Sequence, residues 1–149
     1  MRKEFVMRGK TAKGLTEELN FGKYKAGHAY RITELKLFPT TVGNQTSADS
    51  HICAVITAGK TPLDPQTPDF SIEGCIANAL WKNDSNDSHA STQQSVIDDT
   101  FIITQNLLLT VFNVESHDVN WQCRFESVKM SGAEEAAVNY KQFAISDGS

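Results

Sequence analysis

Hydrophobic residues along the chain fall in short runs that alternate with polar ones or fill both parities, and they seldom recur at helical spacing. The clearest run is Val119-Asn120-Trp121-Gln122-Cys123-Arg124-Phe125. Its period of two predicts a half-buried strand with Trp121, Cys123 and Phe125 inward and Gln122 and Arg124 outward. Val128 and Met130 then take the other parity, which predicts a bulge near Glu126 or Ser127. A similar change of phase lies within His28 to Phe38. Tyr30 and Ile32 share one parity and Leu35 and Leu37 the other, so a bulge is expected near Thr33 or Glu34, with Pro39 ending the strand.

The remaining runs extend the pattern. Glu4 to Arg8, closed by Gly9, and Leu15 to Phe21 predict two strands joined as a hairpin. Ile52 to Ala58 is apolar on both parities, which predicts a strand covered on both faces and ended by Gly59. Pro62, Pro65 and Pro68 then space a surface excursion with polyproline II character. Cys75 to Trp81 reads as a strand, although Ala77, Ala79 and Leu80 leave a helical turn open. Residues 82–94 read as a solvated loop. Thr100 to Ile103 and Asn106 to Phe112 supply the heart of the core. Ser131 and Glu134 have capping-box spacing and start a short helix reaching Tyr140, with Val138 and Tyr140 docked on the sheets. Phe143 to Ile145 reads as a last strand. Bulged, coiled strands of this kind predict an all-β fold. The expected form is a two-sheet antiparallel β-sandwich, jelly-roll-like, with one short helix near the C-terminus, as a single domain over residues 1–149.

Composition narrows the functional classes. A hydrophobic share of 40% with 21% charged residues is that of a soluble globular chain. No apolar run approaches the roughly 18 residues of a membrane-crossing helix, and Met1 to Arg8 lacks the apolar segment of a signal peptide. Charge is unevenly laid out. Residues 1–36 hold nine bases against four acids, +5, and the net charge of -4 leaves -9 for the remainder. Oppositely charged portions make complementary surfaces, either within the chain or between copies. The basic stretch lacks the dense clusters of a nucleic-acid site, and the whole chain is acidic.

Candidate chemistry is sparse. Cys53, Cys75 and Cys123 form no C-x-x-C pair and each lies in an apolar run, so buried free thiols are expected rather than a disulfide or zinc site. His28, His51, His89 and His117 lack metal-ligand spacing. Asp98-Asp99 suits a solvated turn better than a calcium site. No nucleophile, phosphate-loop or metalloprotease motif occurs, and the chain is read as a non-enzyme with no catalytic, metal or cofactor-binding residue.

Arg2-Lys3-Glu4-Phe5-Val6-Met7-Arg8-Gly9, Thr57-Ala58-Gly59-Lys60-Thr61, Asp98 to Gln105 and Val119 to Glu126 give the chain its familiar look. In these stretches it resembles small uncharacterised proteins encoded in marine tailed-phage genomes. The resemblance implies a phage source and a virion component, made in the host cytoplasm. The functional expectation is a self-associating bacteriophage capsid decoration or cement protein, or a small coat subunit. Its partners would be copies of itself and a major capsid protein. The interface residues expected on the N-terminal strand are Phe5, Met7 and Arg8, because a terminal strand can add to a neighbouring sheet. The competing reading is a glycan- or receptor-binding sandwich, with loops 40–50 and 82–94 around a Trp81 stacking platform.

Overall fold

The computed structural model describes residues 4–21, 28–40, 50–83, 91–114, 117–129, 131, 133–134 and 136–138. Its strands are β1 (Glu4–Thr11), β2 (Thr16–Leu19), β3 (His28–Pro39), β4 (Ser50–Thr57), β5 (Cys75–Asn83), β6 (Ser91–Ile97), β7 (Leu107–Asn113) and β8 (Val119–Lys129). They form two antiparallel sheets, ordered β1-β8-β3 and β2-β7-β4-β5-β6.

The neighbours follow a wrapped hairpin. β1 meets β8, β2 meets β7 and β4 meets β5, while β8 also pairs with β3 and β7 with β4. This nesting of first with last strand is the jelly-roll arrangement. It departs from the full pattern at β6, which pairs with β5 instead of β3. The two edges are still tied, because Gln93 Nε2 donates to the Leu37 carbonyl across the sandwich at 3.0 Å.

The core lies between the sheets. Ile32, Leu35, Leu37, Trp121, Cys123 and Phe125 come from the smaller sheet, and Ile52, Ile56, Leu107, Leu109 and Val111 from the larger. β8 shows the alternation its sequence predicts, with Trp121, Cys123 and Phe125 buried. At one end an aromatic cluster closes the core. Phe5 stacks on Phe125 at 5.5 Å, and Phe21 meets Phe125 edge-on at 4.9 Å and Tyr30 at 5.2 Å. Such contacts contribute about 0.5–1.5 kcal/mol each beyond area burial.

The bulge expected on β3 lies between Ile32 and Glu34. Thr33 is the extra residue, and its hydroxyl donates to the Arg124 carbonyl at 3.3 Å. That single insertion lets Ile32, Leu35 and Leu37 all face inward. The second bulge, expected near Glu126 or Ser127, is absent, since β8 pairs without a shift from Val119 to Lys129 against β1 and β3 outside the Ile32/Glu34 step. Val128 simply lies on the outer face, opposite Ala29.

Further expectations are corrected. The predicted hairpin does not form, because β1 and β2 belong to different sheets. A turn through Gly14 (φ 78°), with Leu15 N donating to Ala12 O, carries the chain across. Gly9 continues β1 instead of ending it, because the Trp121 indole lies against its backbone. Residues 82–94 are not one loop. β5 runs to Asn83 and β6 starts at Ser91, a polar edge strand whose exposed side chains hid its pairing. Residues 101 and 102 are outside any strand, and Ile103 makes only a bridge to Tyr30. The proline excursion closes as a loop that contains turns. Ala58 N donates to Gly74 O at its base, and the Asp64 and Asp69 side chains accept from Gln66 N and Ser71 N. Ser131 Oγ accepts from Glu134 N at 3.3 Å, as an N-cap does, ahead of helical residues 133–134 and 136–138. Tyr140 and the strand expected at 143–145 lie outside the described residues.

Candidate functional site: two outer faces of opposite character

The strands of the smaller sheet turn every second residue outward, and the register aligns these residues in rows. Glu4, Glu126 and Arg31 form one row, and Val6, Arg124 and Glu34 the next. Arg8, Gln122 and Lys36 follow, then Lys10, Asn120 and Phe38. At the Glu4 end the charges are matched. Arg31 bonds Glu126 through Nη2 at 3.1 Å and Nε at 3.3 Å, and Arg124 lies 3.8 Å from Glu4. Glu34 takes Lys36 at 3.6 Å and Gln122 Nε2 at 3.5 Å. At the other end, Arg8 and Lys10 are exposed with no anionic partner among the described residues. Asp118 lies just before β8, next to the Thr11–Val119 pair that ends the ladder on this side. Phe38 stands beside them with 58% of its surface exposed, and Val6 is also exposed.

The face of the larger sheet differs. Cys53, Leu80 and Phe112 form an outward row, with Val55, Asn78 and Val96 beside it. The 59–74 loop folds over part of this surface and leaves an apolar groove of about 400 Å³ between Pro65, Pro68 and the row of Cys53, Leu80 and Phe112. Asn78 lines it, and its buried Nδ2 has no hydrogen-bond acceptor among the described residues. Pro65 is buried in making this cover, and Val55 of β4 is buried on this face, while Cys53 stays half-buried at the groove.

Acids gather at one end of that face. Asp64 and Asp69 line a second cleft beneath the loop with Val55 and Cys75. Asp98 N donates to Ile76 O, which brings Asp98 and Asp99 to the same end of β5. Glu73 and Lys60 belong to the loop as well. Asp98 is a turn residue, accepting from Thr100 N at 3.0 Å and Thr100 Oγ1 at 2.6 Å. Asp69 is held below the usual carboxylate range by its hydrogen bonds from Ser71. The opposite end of the face is basic. Lys13 Nζ lies 5.0 Å from the Phe112 ring centroid, and His51 pairs with Lys82 across β4 and β5.

The residues expected at an interface fall on both sides of β1. Arg8 faces outward, whereas Phe5 and Met7 pack against the core, so their side chains serve the monomer. β1 is nonetheless an edge strand with its outer margin unpaired by any described strand. Trp81 also packs against the core, on the inner face between Ile52 and Gln93, and not as an exposed platform. The flanking residues 41–49 and 84–90 of the glycan reading lie outside the described residues. The three cysteines are free. Burial pushes Cys123 up to about 12, and burial with the nearby Asp64 charge pushes Cys53 up to about 11, so neither is a nucleophile at neutral pH. The sequence signal for the outer face of the smaller sheet was present in the period-two polar residues of β1, β3 and β8. Which strands lie side by side was not.

No protein-family model and no curated protein matches the chain. Two solved structures with similar chains are those of turnip yellow mosaic virus and of Desmodium yellow mottle tymovirus. The first has a TM-score of 0.41 at 10% identity, covering 87% of this chain and 80% of that chain. The second has a TM-score of 0.35 at 10% identity, covering 88% and 90%. The fold assignment rests on the strand ladders above and not on these likenesses.

Proposed function

We propose that this protein is a self-associating structural subunit of a bacteriophage particle, acting as a capsid decoration or cement protein or a small coat subunit. The observation that carries this reading is the division of charge between the two outer faces. A basic end with exposed Arg8, Lys10 and Phe38 lies on one sheet, and an apolar groove beside a cleft lined by Asp64 and Asp69 lies on the other. Surfaces of this kind suit packing between subunits, where complementary potentials set partner and register. The edge position of β1 adds a second means of contact, by strand addition. The sequence resemblance to marine tailed-phage proteins supports the particle as the setting. A structural role is not catalytic, and the proposal assigns no reaction.

The test is the location of the protein in infected cells. Antibody raised against the purified chain is expected to label intact phage particles after density-gradient purification. Labelling confined to the soluble lysate, with particles unlabelled, would contradict the assignment to the virion.

A further inference from the structure

Because the two charged surfaces are the outer faces of packed sheets, they point in opposite directions and cannot neutralise each other within one molecule. We infer that the occupant of the apolar groove and the acidic cleft beside it is a second copy of this chain, docked head-to-tail through the basic end of its smaller sheet. The inference deepens the self-association reading and rests on it. It specifies a heterologous contact, in which each copy offers a different surface to each neighbour, so that copies close into a ring or extend as a stack.

Charge and shape both select this partner. Arg8 and Lys10 have no anionic partner among the described residues, while Asp64 and Asp69 are exposed at the cleft beside the groove and Asp99 is exposed at the same end of the face. The order of charges also fixes orientation. The basic end of one face meets the acidic end of the other, which sets the Glu4 end near Lys13 and Lys82. In the same row as Lys10, the exposed Phe38 offers a ring of the size an apolar groove of about 400 Å³ accepts beside Leu80 and Phe112. A face-to-face contact of two basic ends would instead oppose Arg8 and Lys10 with themselves, which costs binding energy.

Two variants test the mode. The first is Arg8→Glu with Lys10→Glu. The second is Asp64→Asn and Asp69→Asn, which keep the side-chain acceptors of both turns, with Asp99→Lys. Each changes surface charge by an equal and opposite amount, and each spoils one surface only. Circular dichroism and melting curves are expected to match the unaltered chain. In sedimentation velocity at low salt, each variant alone is expected to be monomeric, with association weakened roughly 100-fold or more in favour of free chains. An equimolar mixture is expected to give one-to-one dimers and nothing larger, since the intact groove of the first variant accepts the intact basic end of the second. Phe38→Ser is expected to weaken assembly while leaving its salt dependence in place. If the unaltered chain assembles and both variants assemble equally well, the head-to-tail mode is wrong while self-association stands. If both variants are monomeric and their mixture stays monomeric, the contact is not between these two surfaces. If the unaltered chain is itself monomeric, the self-association reading fails first.

Discussion

A Cβ placed on Gly9 would stand 2.7 Å from Trp121 Cζ2, so the indole of β8 lies directly on the backbone of its neighbour β1. The same indole donates from Nε1 to Thr11 Oγ1 at 2.9 Å in a buried bond. The aromatic ring is thereby fixed at both ends, one by contact and one by a hydrogen bond.

Gly9→Ala is therefore expected to destabilise the protein by about 1–3 kcal/mol, the usual cost of overpacking a close contact. Gly14→Ala is also unfavourable, by about 1–2 kcal/mol, but for a different reason, since its φ of 78° strains any L side chain. Urea denaturation in a double-mutant cycle separates the two. Trp121→Phe removes the clashing atoms, so it is expected to couple to Gly9→Ala and to leave the cost of Gly14→Ala unchanged. Equal coupling at both glycines would rule out the indole contact as the cause.

The bulge on β3 makes a second, less usual prediction. Deleting Thr33 removes only the extra residue between Ile32 and Glu34, so Ile32, Leu35 and Leu37 keep their partners. The expected loss is about 1 kcal/mol, from its bond to Arg124. Deleting Arg31 shifts the strand by one residue on the other side of the bulge. Tyr30 then turns out of the aromatic cluster, and the Glu126 ion pair is lost. The loss expected there is at least about 3 kcal/mol. Comparable denaturation midpoints for the two deletions would show that Thr33 is not the inserted residue.

Alkaline pH gives a third. Burial disfavours the Cys123 thiolate, raising its pKa from the ordinary 9.0 to about 12. The unfolded chain releases the proton near pH 9 and the folded chain holds it. The contribution of this thiol is thus fully present below pH 9 and is lost as pH rises toward 12, with a limiting slope of about 1.4 kcal/mol per pH unit. The stability difference between the unaltered chain and Cys123→Ala, from urea titrations, is expected to be constant from pH 7 to 8.5 and then to fall in alkali. A difference flat to pH 10.5 would mean that the thiol ionises alike in both states.

The strands that were legible in the sequence are those whose two faces meet different surroundings. β8 shows its burial in strict alternation, and β3 shows its bulge because a one-residue insertion flips every later side chain. The partnership of β1 with β8, far apart along the chain, leaves no local mark, so two neighbouring runs were read as a hairpin when they belong to different sheets. β6 was hidden because an edge strand facing solvent carries Ser, Thr and Gln in place of an apolar stripe. In the proline loop the informative residues were Asp64 and Asp69, each two positions before an amide it accepts from, and not the prolines between them. For the site, Arg8 was legible as a surface residue of a basic stretch. Phe5 and Met7, expected at an interface with Arg8, pack against the core, and the parity of a short strand does not say which side is the core.

The central claim is that copies of this chain bind one another through charged outer faces. Sedimentation velocity of the purified chain over a wide concentration range, at 50 mM and at 500 mM salt, tests it most directly. The account predicts oligomers that grow with concentration at low salt and dissociate at high salt, where the Debye length shrinks to a few ångströms. A single monomeric species at every concentration in low salt would contradict it.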